Sequence, residues 1–355
     1  MKILQVINNL DVGGAETLLS EYALNSGENT SVILTLVSSD SWIRSDLENS
    51  GVKVIDLALQ SKYRLISAMI GIARAIISEK PDIVHAHLFP PQYYAAFLRP
   101  FFRNIPFVFS EHSTSNRRRG ITLLRPIEAL SYRMYDRVIV ISEAARKELT
   151  RITTGNNCTV VYGGVDEKRF IGPRNEEYDF VLVTSLRGRE KGVDIFLEAL
   201  SMVREKGYSA VVLGDGVLRS ELTELRDRLG LRNAVDFRGN VDNVGEYLRC
   251  ARVFVLPSRW EGLPVSIMEA MFSGTPVVAS RTGGIPEVVP GDCALLFEPE
   301  DTEDLSKALV KVIDDIGLRQ HLADNAVNRA GRLFTLSAYT SRLDFFYREM
   351  KRTSK

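Results

Sequence analysis

The sequence predicts an α/β protein made of two doubly wound, Rossmann-like domains facing each other across a cleft. Its 355 residues exceed the roughly 100–200 typical of one domain. Short apolar, β-rich runs bounded by turn residues alternate with longer amphipathic stretches, the pattern of a parallel sheet with crossover helices. That alternation occurs twice, on either side of Gly163 to Asp179, a polar, Gly/Pro-bearing stretch without periodicity that reads as a linker.

In the first half, strands are expected at KILQVI from Lys2, SVILTLV from Ser31, KVIDL from Lys53 and DIVHAH from Asp82. PFVFS from Pro106, RVIVIS from Arg137 and TVVY from Thr159 continue the series. The second half repeats the rhythm with DFVLVTS from Asp179, SAVVLG from Ser209, VDFRG from Val235, RVFVLP from Arg252, PVVAS from Pro276 and ALLF from Ala294. Helices fill the gaps. The domains expected are 1–165 and 178–336, followed by a helix within 337–355. That helix carries Tyr339, Leu343, Phe346 and Tyr347 on one face and is expected to pack back toward the first domain.

Composition narrows the function. With 45% apolar and 25% charged residues the chain is an ordinary globular protein. Lys plus Arg (45) equals Asp plus Glu (45), so no global field draws it to nucleic acid or anionic membrane. Residues 1–173 hold 20 bases and 17 acids, and residues 174–355 hold 25 and 28. One stretch departs from this balance. Residues 99–137 carry eight arginines against Glu111, Glu128 and Asp136, interleaved with Phe101, Phe102, Phe107, Leu123, Leu124 and Tyr132. This stretch suits either a solvated helix face with a loop around SNRRRG or a surface for anionic lipid headgroups. Cys158, Cys250 and Cys293 lie far apart with no CxxC spacing, against a disulfide framework or a zinc site and in keeping with a reducing cytoplasm. The N-terminus has too short an apolar run for a signal peptide. The longest apolar stretch, Leu65 to Ile77, contains Arg74 and falls short of the roughly 18 residues of a membrane span.

In open α/β sheets ligands sit at the carboxyl ends of strands, so chemistry is expected in the strand-to-helix loops. The most informative segment is SRWEGLPVSIMEAMFSGTPVVASRTGGIPE, Ser258 to Glu287, after the strand RVFVLP. Pro264 is placed to start a helix and Gly274 to end it. Glu261 then lies in the loop and Glu269 inside the helix, about a turn and a half from its start. An ionised carboxylate accepts from two vicinal hydroxyls at once, so this pair suits a sugar or a ribose diol. Gly262 leaves the backbone bare for close approach, and the helix start offers amides to a phosphate. Other chemistries lack their residues. LGDG at Leu213 has two glycines of GxGxxG and no third, and there is no GxxxxGK[ST], Asp-x-Asp or HxxxH. Dehydrogenase, kinase and metal-site readings fail on this count.

These residues resemble the retaining, nucleotide-sugar-dependent glycosyltransferases of the GT-B fold that carry a Glu-x(7)-Glu motif, the group 1 or family 4 enzymes. Glu261 and Glu269 have the required spacing, and EGLPVSIMEAMFSGTPVVAS is similar to the family's pattern almost throughout. VGGAETLLSEYA, DIVHAH, VFSEHS, ISEAARKEL, VVYGGVD and LGDGVLRSEL resemble its further landmarks in order. By this resemblance 1–165 would bind the acceptor and 178–336 the donor. Glu261 would face the donor sugar hydroxyls beside the backbone of Gly262 and Leu263, and Glu269 would hold the nucleotide ribose. Lys191 would neutralise the departing diphosphate, whose oxygens gain negative charge. The family usually carries an Arg just after that strand; here Ser185 stands there, leaving Arg187 or Arg189 to substitute.

The resemblance places His112 beside the transferred sugar, with Glu261 and Lys191 the third candidate catalytic group. Arg238 and Gly239 would meet the base, and Gly13 and Gly14 a phosphate or the acceptor. His87 is a candidate acceptor or donor contact, or a purely structural residue. His85 is left to the core and His321 to the surface, while Gly283 and Gly284 suit a tight loop near the nucleotide. No metal and no cofactor are expected, the nucleoside-diphosphate-sugar being a co-substrate. The expected partners are that donor and a glycan or lipid-linked acceptor, with peripheral membrane contact through 99–137 and no nucleic acid. The implied activity is sugar transfer to an acceptor hydroxyl with retention, in cell-surface polysaccharide or glycolipid synthesis, in the cytoplasm or on the inner face of the membrane. The alternative is a nucleotide-sugar-binding or epimerase-like protein of the same fold without transfer activity, although an epimerase would lack the Glu-x(7)-Glu text.

Overall fold

A computed structural model describes residues 1–11, 13–112, 125–152 and 157–353. The chain divides into two compact units, Met1–Gly164 with Leu336–Lys355, and Val165–Thr335.

The first unit holds β1 (Lys2–Ile7), α1 (Gly14–Asn25), β2 (Thr30–Thr35), α2 (Trp42–Asn49), β3 (Lys53–Asp56) and α3 (Leu65–Glu79). It continues with β4 (Ile83–His87), α4 (Pro91–Leu98), β5 (Phe107–Glu111), α5 (Arg125–Arg133), β6 (Arg137–Val140), α6 (Glu143–Thr150) and β7 (Cys158–Val160). The strands form one parallel sheet in the order β3-β2-β1-β4-β5-β6-β7. The second unit runs β8 (Tyr178–Val183), α7 (Val193–Ser201), β9 (Ala210–Leu213), α8 (Arg219–Arg228), β10 (Val235–Gly239), α9 (Val244–Arg249) and β11 (Ala251–Leu256). Then come α10 (Val265–Phe272), β12 (Val277–Ser280), α11 (Ile285–Val288), β13 (Ala294–Phe297), α12 (Thr302–Asp314) and α13 (Ile316–Leu333). Its sheet is also parallel, in the order β10-β9-β8-β11-β12-β13. Every expected strand forms. The central runs are long enough for a strand and buried on both faces, which suits a sheet covered by helices on each side, whereas the edge strands β3, β7 and β10 keep exposed or half-buried positions.

Both sheets reverse their winding once, between β1 and β4 in the first and between β8 and β11 in the second. At such a point two neighbouring strands send their loops to opposite faces, leaving a crevice at the carboxyl ends.

The final helix, α14 (Leu336–Thr353), belongs to the first unit. Tyr339, Leu343, Phe346, Tyr347 and Met350 bury against Ile3, Leu18, Tyr22, Ile83, Val108 and Ile139. Polar pairs fix its register. Asp344 accepts from Tyr22 Oη and Asn29 Nδ2, each at 2.7 Å, and Lys351 pairs with Asp82 at 2.7 Å. The aromatic face read from sequence therefore returns to the first sheet.

The aperiodic stretch after Gly163 is not a free linker over most of its length. From Val165 it lies on the second unit, where Phe170 is buried. The Arg174 guanidinium donates to the carbonyls of Gly274 (2.8 Å) and Ala251 (2.7 Å). Side-chain bonds to backbone carry no periodicity, which is why the stretch reads as loose. In the basic stretch, Arg99 forks onto Asp136 at 2.8 Å through two nitrogens, whereas SNRRRG lies outside the described residues. Among the described residues no helix is long and apolar enough to cross a membrane.

Leu343→Ala is expected to destabilise the first unit by about 2–5 kcal/mol, the cost of a buried Leu and its cavity. Trp42 lies in the first unit and Trp260 in the second, so single-tryptophan versions should show the Trp42 urea transition moving to lower urea. An unmoved Trp42 transition would mean that α14 contributes nothing to that core.

Candidate active site

The site in the second unit is built on the adjacency of β8 and β11. The loop after β8 carries Arg187, Arg189 and Lys191; the loop after β11 carries Ser258 to Pro264. Lys191 ends a 3-10 turn, and Gly192 follows with φ +65°. A Cβ there would overlap the Pro257 carbonyl, so only glycine lets the turn lie against the end of β11. Arg259 clamps the turn in place. Its backbone N–H donates to Glu190 O at 2.7 Å, and its guanidinium donates to Arg189 O at 2.7 Å and to both Asp194 oxygens at 2.9 Å. Burial alone would raise the Asp194 pKa, but the Arg259 fork outweighs it and holds the carboxyl below its usual range.

The clamp brings Lys191 Nζ to 2.6 Å from Glu261 Oε1, and Ser258 Oγ donates to the same oxygen at 2.8 Å. Glu261 is buried and Lys191 partly so. Beneath them the Gly284 N–H donates to the Glu261 carbonyl at 3.2 Å. Gly283, at φ +52°, sits where a Cβ would overlap that carbonyl. The glycine pair is thus a support pressed against Glu261. Leu263 is buried and Gly262 partly exposed.

Pro264 is the N-cap of α10 and Gly274, at φ +66°, closes the turn after it, as the sequence implied. Glu269 lies in the second turn of α10. Its carboxyl accepts no hydrogen bond among the described residues. Loss of hydration outweighs the charge of Arg169 and lifts its pKa to about 7.

The two candidate arginines separate. Arg189 pairs with Asp194 (3.7 Å) and with Glu221, and so is engaged in holding the loop. Arg187 is exposed and makes no ion pair among the described residues; its backbone N–H donates to Ser185 Oγ at 3.3 Å. Arg238 is exposed and pairs with Asp236 at 2.7 Å. Gly239 is buried at φ +74°, its carbonyl accepting from the Gly214 N–H at 2.7 Å.

In the first unit a hydrogen-bonded chain crosses β1, β4 and β5. His85 Nδ1 lies 2.6 Å from Tyr347 Oη and His85 Nε2 lies 2.8 Å from Ser110 Oγ. Gln5 Nε2 donates to Tyr347 Oη at 3.5 Å, and Gln5 Oε1 lies 2.8 Å from His87 Nε2. His87 Nδ1 lies 3.3 Å from His112 Nε2. The tautomers follow from this order. Gln5 Oε1 can only accept, so His87 carries its proton on Nε2 and His87 Nδ1 must accept from His112 Nε2–H. His112 Nδ1 is left as a bare acceptor. Desolvation keeps all three rings neutral, with His85 depressed to about 3, His112 to about 4, and His87 well below its usual value. His85 and His87 are buried, and His112, partly exposed, is the end that opens outward. His321 is exposed on α13.

Gly14 begins α1 with open space around it, but the Glu16 carboxylate folds back to where a Gly13 Cβ would stand. A phosphate at this helix start would meet a like charge, whereas an acceptor hydroxyl would not. The sequence did not single out Ser258, Arg259, Asp194, Gly192 or Gln5, and marked Tyr347 only as part of an apolar helix face. Gly192 directly after the REK turn was the one legible signal; the others touch the site only through the fold.

Comparison with known proteins finds glycosyltransferases over both halves of the chain. The family model "Glycosyl transferases group 1" matches residues 177–315, and "Glycosyltransferase Family 4" matches residues 12–169. An uncharacterized glycosyltransferase of Methanocaldococcus jannaschii is 28% identical over 275 residues, 70% of each chain. The N-acetyl-alpha-D-glucosaminyl L-malate synthase of Bacillus anthracis is 25% identical over 321 residues, 84% of this chain and 81% of that one. Among solved structures, Anabaena HepE in complex with UDP-glucose superposes with a TM-score of 0.86 at 23% identity, covering 98% of this chain and 100% of HepE.

Two outcomes follow from the geometry. Folded Glu269 keeps its proton to about pH 7, whereas an unfolded Glu loses it near the ordinary value of about 4.3. The folded state binds more protons in between, so stability from this group falls as pH rises through that window and stays low above it. Glu269→Gln should match the parent at pH 4 and exceed it by about 1–3 kcal/mol at pH 8 in urea titrations; equal stability at pH 8 would contradict the dehydrated carboxyl. In nitrogen-15 histidine NMR, His87 and His112 should be neutral Nε2–H tautomers, and His85 neutral, from pH 5.5 to 8. An Nδ1–H form of His112, or its protonation near pH 6.5, would break the chain drawn from Gln5.

Proposed function

The chain belongs to the group 1, family 4 glycosyltransferases of the GT-B fold, and on that premise we propose that it transfers a sugar from a nucleoside diphosphate to an acceptor hydroxyl with retention at the anomeric carbon. The observation that carries this reading is the contrast between its two carboxylates at the carboxyl edge of the second sheet. Glu261 is pinned by Lys191 and Ser258. Glu269 is partly buried, accepts no hydrogen bond among the described residues, and is lifted toward neutrality by loss of hydration. A carboxyl held at such a cost to folding awaits donors, and a vicinal diol supplies two.

In this scheme Glu269 takes the ribose hydroxyls and Glu261 the sugar hydroxyls, with the Gly262–Leu263 backbone beside them. Lys191 turns from Glu261 to the diphosphate, joined by Arg187 in place of the arginine missing at Ser185. The bond from C1 to the diphosphate oxygen breaks as the bond from C1 to the acceptor oxygen forms on the same face. The acceptor proton passes to the departing phosphate oxygen, whose gathering charge Lys191 and Arg187 stabilise. His112, neutral and with Nδ1 bare, accepts from a hydroxyl of the bound sugar. His87, buried behind His112, positions that ring rather than meeting the acceptor. The acceptor is a glycan or a lipid-linked sugar, with segment 99–137 toward an anionic headgroup, in surface polysaccharide or glycolipid synthesis at the cytoplasmic side of the membrane. No metal and no further cofactor enters the scheme.

The test is thermal stabilisation by a panel of nucleoside diphosphates with and without their sugars, followed by donor turnover. A ligand at 100 times its dissociation constant adds about 2.7 kcal/mol. One diphosphate should stabilise the parent and fail to stabilise Lys191→Ala. Glu261→Ala should keep that stabilisation, lose the increment from the sugar and lose turnover by at least 100-fold. Stabilisation without any donor hydrolysis or transfer would convert the reading to a binding protein, and no stabilisation by any member would end it.

A further inference from the structure

We propose that the outer helical layer of the first unit, formed by α3, α4 and α5, docks on an anionic lipid bilayer. The proposal widens the headgroup reading of segment 99–137 to a face centred on α3, and it stands or falls separately from sugar transfer.

The first observation is a concentration of exposed apolar side chains. Eight of the seventeen large hydrophobic residues left exposed among the described residues belong to this layer. They are Tyr63, Leu65, Ile66, Ile70 and Ile77 at α3, Phe101 in the turn after α4, and Ile127 and Leu130 on α5. Ile66 is 72%, Ile77 64% and Phe101 78% exposed. On α3 the residues Ile66, Ile70, Ala73 and Ile77 recur at i, i+4, i+7 and i+11, which is one stripe along the helix. The opposite stripe, Ala68, Ile72, Ala75 and Ile76, is the one that buries. A helix with two apolar stripes has one more than the core requires. α3 packs beside α4 and α4 beside α5, so the exposed groups share one layer.

The second observation is the charge that surrounds them. Arg64, Arg74, Lys80, Arg103, Arg125 and Arg133 are exposed around the stripe. The carboxylates of the same elements are withdrawn. Glu128 is buried, Glu79 is nearly so and pairs with Lys2 and Lys53, and Asp136 is paired with Arg99. α4 carries no charge at all. Bases flanking an apolar stripe with no exposed acid fit an interfacial helix on anionic lipid. A second copy presenting the same face would set base against base, so like charge opposes self-association here.

Cosedimentation of the full chain with phosphatidylcholine vesicles, with and without 30% phosphatidylglycerol, tests this. Binding is expected with the anionic vesicles, weaker with the neutral ones, and reduced by salt. Arg74→Glu with Lys80→Glu should weaken it at least tenfold, since each base near such a surface is worth about fivefold. Ile66→Ser with Ile70→Ser should weaken it on both compositions. All four positions are exposed, so circular dichroism melting should be unchanged. Absence of binding to either vesicle, equal binding to both, or undiminished binding by the α3 variants would overturn the proposal. Loss confined to Arg103→Glu, or a dimer in sedimentation that Ile70→Ser dissociates without vesicle binding, would overturn it too. Vesicle binding in a chain that turns over no donor would leave this inference in place and remove the transfer reading.

Discussion

The contact of the turn after β8 with the end of β11 is what the donor-side chemistry depends on. Gly192 lies against the Pro257 carbonyl with no room for a Cβ, and Arg259 ties the turn down through Glu190, Arg189 and Asp194. Only because of that closeness does Lys191, seventy residues away in sequence, stand 2.6 Å from Glu261. The parallel order β9-β8-β11-β12 makes the two loops neighbours at the winding reversal. The Gly283–Gly284 turn after β12 then presses Glu261 from the other side. Gly192 and Gly283 each mark an approach of backbone to backbone that a methyl group would prevent.

Dehydration sets the protonation states in both units. Glu269 is lifted toward neutrality and the three histidines of the first unit are depressed, in each case chiefly by loss of water. The consequences differ. A carboxyl that ionises near pH 7 in the folded state opposes folding increasingly from about pH 4.3 upward and fully above pH 7, and a structure retains such a group where a ligand can satisfy it. Neutral imidazoles carry one proton each, so a chain anchored at Gln5 and Tyr347 can hand a defined tautomer to His112. α14 therefore does two things. It fills the first core with Leu343, Phe346 and Tyr347, and through the Tyr347 hydroxyl it meets Gln5 on β1 and His85 on β4, on the sheet face that it covers.

The first unit treats its helices unequally. α1 and α14 bury tyrosines and a leucine against the sheet with paired polar rims, whereas α3 keeps a second apolar stripe outside. Folding accounts for the first stripe and not for the second. Apolar runs alone could not separate them, since Leu65 to Ile77 reads as one continuous segment until the sheet selects which side it covers.

Much of this protein was legible from order along the chain. Strand runs bounded by turn residues, their repetition in two halves, Pro264 and Gly274 around one helix, and Glu261 and Glu269 eight residues apart are local patterns. Local patterns follow from backbone sterics and side-chain periodicity, which act over a few residues and need no partner. The rest rests on pairings between residues far apart. Whether Arg187 or Arg189 keeps its charge available depended on where Glu221 and Asp194 came to lie. Whether Gly13 could receive a phosphate depended on the direction taken by the Glu16 carboxylate. The stretch after Gly163 looked loose because Arg174 finds its carbonyls seventy-seven and a hundred residues on. The pKa of Glu269 and the tautomer of His112 likewise belong to an environment, assembled from several strands and a returning helix, in which water has been replaced by particular neighbours. Composition and spacing name the groups that can do chemistry. Packing determines which of them are dehydrated, which are paired and which remain available, because those energies arise from contacts that do not exist until the sheets close.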